Sequence, residues 1–184
     1  MIHPAAGPCL FDVSAETWLL RGAGAAPAAW LRRYLDCFPM NVAVTSVTDR
    51  LRGYAMLLER EGTVVAAVGR CRDAYLESLN AGRVRVLPLT PREAAWAAQL
   101  LVLVPFAPTA PHRLGHAAES RPDRLARWRS QLLVAATALG YGLPLVHCNL
   151  RDFAPLAALA ARFPERFPGG RRLVLVPVRE LGVP

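Results

Sequence analysis

The segment from Gln131 to Phe153 constrains the fold of this chain more than any other. It reads QLLVAATALGYGLPLVHCNLRDF: an alanine-rich helical pattern, a glycine-containing stop, a short apolar strand, then Asn149-Leu150-Arg151-Asp152-Phe153. Near the start, Cys9-Leu10-Phe11-Asp12-Val13-Ser14 is another short apolar run, and it ends on a carboxylate. Short apolar strands separated by helical patterns are the mark of a parallel sheet covered on both faces. In such open sheets ligands gather at the carboxyl ends of the strands. Asp12 and Asp152 are therefore expected to share one crevice, although they lie far apart in sequence.

The rest of the chain supplies the intervening units. Leu10 to Val13 is expected as the first strand, and Ser14 as the cap of a helix over Ala15 to Arg21, ended by Gly22. Pro27 suits the first position of a helix reaching about Cys37. Asn41 to Thr45 reads as a strand, and Thr45, Ser46 or Thr48 as the cap of a helix from Asp49 to about Glu61, with Gly62 after it. Val64 to Leu79 reads as helix, with Val64-Val65 and Ala67-Val68 open to strand. Val84 to Leu87 is a strand, and Thr90-Pro91-Arg92-Glu93 is a capping box for a helix that ends before Pro105. Pro105 to Pro122 is irregular. A helix from about Asp123 to Gly140, a strand Leu145 to Cys148, a short helix after Asp152 and a strand Leu173 to Val176 complete the order. This predicts one α/β domain with a largely parallel central sheet of four or five strands flanked by helices.

Composition fits one compact domain: 184 residues, 53% of them hydrophobic, are enough for a substantial core. No apolar run reaches the ~18 residues needed to span a bilayer. The first residues do not form a basic segment followed by an apolar one, so a cytoplasmic location is expected. Cys9, Cys37, Cys71 and Cys148 show no C-x-x-C spacing and read as buried free thiols rather than zinc ligands. Every basic residue except the histidines is Arg, and the net charge is +8. Such a surface favours polyanions, and the guanidinium fork suits phosphate. The densest basic patches are Arg32-Arg33, Arg121 to Arg129 and Arg171-Arg172.

The pattern resembles the PIN domain, and most closely the VapC-type toxins of bacterial toxin–antitoxin pairs. The resemblance rests on Leu10-Phe11-Asp12-Val13-Ser14, on Val44-Thr45-Ser46-Val47-Thr48, on Val86-Leu87-Pro88-Leu89-Thr90, and above all on Leu132 to Leu139 followed by Leu145 to Phe153. It implies a small metal-dependent endoribonuclease in which three or four carboxylates at the strand ends hold Mg²⁺ or Mn²⁺. It also implies RNA as substrate, a cognate antitoxin as partner and a homodimer. The metal would lower the pKa of a bound water and offset phosphate charge.

Carried onto this chain, the resemblance makes Asp12 and Asp152 the catalytic metal ligands, with Asn149 assisting. The family's second and third acids fall on Leu51 and Gln131, so two acid positions are replaced; Asp49 is the reserve ligand. Arg127, Arg129 and Arg151 are the candidate RNA contacts, and Trp128 is either core or a base-stacking platform. A second outcome of the same resemblance is a PIN-fold protein without catalysis that binds RNA or protein. Each residue also has a plainer reading: Asp12 and Asp152 as helix caps, Asn149 as a turn residue, Asp49 as a first-turn helix acid. His112 and His116, with Glu119, are spaced for one helix face, but Pro111 and Gly115 favour a loop. His147 reads as a packed or hydrogen-bonded strand residue.

Overall fold

A computed structural model of the chain describes residues 3–20, 24–59, 65–110, 113–114 and 117–181. The elements are β1 (Leu10–Phe11), α1 (Val13–Leu20), α2 (Ala25–Leu35), β2 (Met40–Ala43), α3 (Val44–Leu58), α4 (Val65–Asn80), β3 (Val84–Leu87) and α5 (Pro91–Leu103). They continue with β4 (Arg113–Leu114), β5 (Ala117–Ala118), α6 (Arg121–Tyr141), β6 (Leu145–His147), α7 (Leu150–Arg162) and β7 (Leu175–Pro177). Five strands form one sheet in the order β3-β2-β1-β6-β7, and every pairing in it is parallel. The α/β class with a parallel central sheet is thus observed, at the upper of the two expected strand counts.

Side-chain alternation along the strands divides the core in two. Leu10, Ala43, Leu87 and Leu145 face a layer built by α5, α6 and α7, centred on Trp96, Leu100, Trp128, Leu132, Leu139 and Phe153. Phe11, Met40, Val42 and Val146 face the other layer, with Leu19 of α1, Trp30 and Tyr34 of α2 and Tyr75 of α4. Tyr34 locks that side. Its ring stacks on Trp30 with centroids 5.2 Å apart, and its hydroxyl accepts the Cys9 amide at 2.9 Å.

Several boundaries move, each for a local reason. β1 stops at Phe11, because Asp12 itself caps α1. Its carboxylate accepts the Ala15 amide at 2.6 Å, and Ser14, the expected cap, instead donates its hydroxyl to Asp12 at 2.7 Å. β2 ends at Ala43 and α3 begins at Val44 without a side-chain cap, so neither Thr45, Ser46 nor Thr48 caps it. The β-branched Val44-Thr45 pair imitates a strand in sequence, which displaced the expected helix start to Asp49. α2 begins before Pro27, with Gly24 as its cap, and ends at Leu35. α4 is helix throughout its described length, so the strand alternative is discarded. The capping box forms as expected: the Thr90 amide donates to Glu93 at 3.0 Å, with Pro91 opening α5.

α6 starts at Arg121, since Ser120 is the cap; its hydroxyl accepts the Asp123 amide at 3.2 Å. The helix runs through Gly140 and stops where Gly142 turns left-handed at φ 65°. α7 begins at Leu150 with Asn149 as its cap, so Asp152 lies inside its first turn rather than before it. The last strand is shifted to Leu175–Pro177. Gly22, Gly62, His112 and His116 lie outside the described residues. Among the four cysteines Cys9 alone is buried; Cys37, Cys71 and Cys148 are exposed, against the expectation of buried thiols. Cys37 and Cys148 lie just beyond the ends of α2 and β6, and Cys71 on an exposed face of α4. Trp128 is fully buried and donates its indole N–H to the Val104 carbonyl at 2.8 Å, so it is core and not a stacking platform. Trp30 and Trp96 are core as well, whereas Trp18 is 38% exposed.

Candidate functional site

The expected aspartates lie on different elements, Asp12 at the carboxyl end of the central strand β1 and Asp152 in the first turn of α7, beyond the neighbouring β6. Asp12 follows β1 directly, and its backbone amide donates to Val146 of β6 at 3.0 Å. Its carboxyl is almost wholly buried. Burial pushes it up to about 6, with the Ala15 and Ser14 hydrogen bonds pulling the other way. Beside it are Ser14 and Cys148, the residue after β6. Partial burial and the nearby Asp12 charge push the Cys148 thiol up while Ser14 pulls it down, so this exposed thiol is not poised as a thiolate. One helical turn beyond Asp12, Glu16 is buried and paired with Arg50 of α3 at 3.1 Å. Desolvation carries Glu16 up to about 7 despite Arg50, and Asp12 adds to the rise.

Asp152 has a different environment. It is fully buried in the first turn of α7, and donors surround it. Thr109 gives Oδ1 both its backbone amide, at 2.8 Å, and its hydroxyl. The Asn149 side-chain amide gives Oδ2 a bond of 2.7 Å, and the Arg127 guanidinium reaches the same oxygen at 3.4 Å. Arg127 in turn grips Glu119 with two bonds of 3.0 Å, and Glu119 holds the guanidinium firmly in its charged form. The segment that supplies Thr109 is tied down by α6: Arg124 donates to the carbonyls of Ala107 and Thr109, each at 2.7 Å.

The remaining candidates are scattered. Asp49 is exposed on α3, where its carboxylate accepts the Ser130 hydroxyl of α6. Gln131, the next residue, has a buried side-chain oxygen without a hydrogen-bond partner among the described residues. Leu51 packs against the core beside Tyr54. Arg129 and Arg151 are exposed, whereas Arg127 is turned inward. His147 is fully buried against Phe153, and neither ring nitrogen has a partner among the described residues.

A divalent ion does not fit these residues as they stand. No three His, Cys, Asp or Glu side chains among the described residues are grouped to hold one. Both Asp152 oxygens are already taken by hydrogen-bond donors, and an Arg supplies the positive charge that an ion would bring. Sequence reasoning missed Thr109 and the Glu16–Arg50 pair. The i, i+4 spacing of Asp12 and Glu16 was the one available signal for the latter.

Elsewhere, a groove of about 800 Å³ opens between α1, α3 and α4, lined by Val13, Thr17, Tyr54, Leu57, Val68 and Tyr75 among others. Its walls are mainly apolar, and neither Asp12 nor Asp152 lines it.

The five-stranded parallel sheet with helices on both faces is a PIN-like α/β fold. Among solved structures, the chain is similar to one in the VapBC2 complex from Rickettsia felis bound to a DNA fragment from its promoter. The TM-score is 0.56 at 10% identity, over 93% of this chain and 98% of that one. It is also similar to a chain of FitAB bound to an IR36 DNA fragment, with a TM-score of 0.56 at 19% identity over 94% and 96%. A chain of FitAcB from Neisseria gonorrhoeae gives 0.52 at 19% identity over 94% and 99%. No protein-family model matches the sequence, and no curated protein does. The likeness at these identities is one of fold. No helix among the described residues is long and apolar enough to cross a membrane.

Proposed function

We propose that this chain is a VapC-like, PIN-fold subunit of a toxin–antitoxin type pair that acts by binding, with its metal-dependent ribonuclease chemistry lost. One observation carries the reading: Asp152, the acid expected to anchor the metal with Asp12, is buried and satisfied by Thr109, Asn149 and Arg127. Replacement of the other two acid positions by Leu51 and Gln131 agrees with it. The exposed Arg129 and Arg151 give RNA its phosphate contacts. The apolar groove by Tyr54 and Tyr75 suits a partner chain such as an antitoxin, or a second copy in a homodimer.

The Mg²⁺- or Mn²⁺-dependent endoribonuclease is favoured by a different observation. Asp12 stands at the end of the central strand, and Asn149 follows the neighbouring β6. Reaction at that point would need Asp49 and Asp152 to leave their present partners.

RNA binding is tested by fluorescence anisotropy on a labelled RNA across a salt series. Affinity should fall steeply with salt, and Arg129→Ser with Arg151→Ser should weaken it and lower the salt slope by roughly two. Binding that is absent, or indifferent to salt and to both substitutions, would remove the RNA-binding reading.

A further inference from the structure

We infer that Arg127 is an internal counter-cation: its guanidinium, bonded to Glu119 and Asp152, stands in place of a divalent ion and locks the Asp152 carboxylate shut. This rests on the reading that the chain binds rather than cleaves. It goes further by naming the group that closes the site.

The geometry of the lock is specific. Arg127 lies on α6, and its planar fork takes Glu119 in two parallel bonds of 3.0 Å while its outer nitrogen meets Asp152 at 3.4 Å. Two carboxylates facing one cation is an arrangement that divalent ions also use. Here the cation is covalently part of the chain, cannot be deprotonated and cannot exchange with solvent. The side chains are largely enclosed, with 20% of Arg127, 8% of Glu119 and none of Asp152 exposed.

The lock has a second part, the segment from Val104 to Thr109. Three residues on one face of α6 hold it or its neighbours. Trp128 binds the Val104 carbonyl, Arg124 binds the Ala107 and Thr109 carbonyls, and Arg127 binds Glu119. Thr109 then donates twice to Asp152 from the side opposite the guanidinium-bound oxygen. The segment from Val104 to Thr109 is thus a strap over Asp152, fastened from α6. Removing the guanidinium takes one positive charge from between two acids, Glu119 and Asp152, that are close enough to share one cation. A divalent ion is then the natural replacement.

The test compares the wild-type chain, Asp152→Asn, Arg127→Met and Arg127→Met/Asp152→Asn with Mn²⁺ alone as the probe. The readouts are loss of the free Mn²⁺ electron paramagnetic resonance signal and the shift in Tm. Wild type should take up no Mn²⁺ through Asp152. Arg127→Met should melt lower, bind one Mn²⁺ per chain and recover Tm as Mn²⁺ is added, and the double variant should lose that recovery. A folded Arg127→Met chain that takes up no Mn²⁺ overturns the inference. So does wild-type uptake that Asp152→Asn abolishes. Should Arg127→Met fail to fold, Arg127→Gln, neutral but still able to donate a hydrogen bond, is measured the same way. A Tm rise with Mn²⁺ that Asp152→Asn abolishes supports the lock, and its absence overturns it. RNA anisotropy on the same wild-type protein separates the two claims, since lost RNA binding removes the functional reading and leaves the lock untouched.

Discussion

Arg127 and Asp152 meet at 3.4 Å across α6 and α7, and that contact decides how the carboxyl end of the sheet is read. The aspartate in the position expected to face a metal faces a guanidinium instead. A buried ion pair of this kind is costly to break from one side, because the surviving partner keeps its desolvation cost without the compensating charge.

Asp152→Ala should therefore destabilise the fold by roughly 3–5 kcal/mol. It strands the Thr109 amide and the Asn149 side chain and takes from Arg127 one of its two carboxylate partners. Urea denaturation at neutral pH measures the loss. A loss below about 1 kcal/mol, the scale of an exposed pair, would show that the network contributes little.

Glu16 gives the fold a distinctive pH dependence. Its carboxyl sits at about 7 in the folded chain against an ordinary 4.5, so the folded state holds the extra proton between those values. Stability from this group is full below the ordinary value and falls as pH rises through about 7. Relative to wild type, Glu16→Gln should gain up to roughly 3 kcal/mol on going from pH 5 to pH 8, at about 1.4 kcal/mol per pH unit. Paired denaturation curves at the two pH values check the sign.

His147 acts in the opposite direction. Burial holds its imidazole down to about 4 from an ordinary 6.5, so the folded state is the one short of a proton. Its contribution is present above pH 6.5 and is lost as pH falls toward 4. His147→Phe should resist acid better than wild type, by up to roughly 3 kcal/mol near pH 4. A wild-type acid midpoint unchanged by the substitution would mean that His147 finds a proton acceptor.

Local chemistry made much of this fold legible. The capping box at Thr90 and Glu93, the strand ending at Asp12 and the helix–strand block from Gln131 to Phe153 are short-range patterns, and each formed nearly where expected. What the sequence hid is long-range or ambiguous. Nothing in its periodicity joins Arg127 to Asp152, or Thr109 to the same carboxylate; those contacts exist only once α6, α7 and the strap pack together. The start of α3 was hidden because Val44-Thr45 has strand chemistry. That error placed Asp49 in a first helical turn, when it lies in the second, bonded to Ser130.

The most direct test of the account is cleavage of a labelled structured RNA in Mn²⁺ and then Mg²⁺, with Asp12→Ala and Asp152→Ala proteins alongside. A chain that binds without cleaving shows no metal-dependent cleavage beyond that of the two variants, while the RNA stays bound in a salt-sensitive way. Cleavage that requires metal and disappears in both aspartate variants, each still folded by circular dichroism, would contradict this and establish a working two-aspartate site.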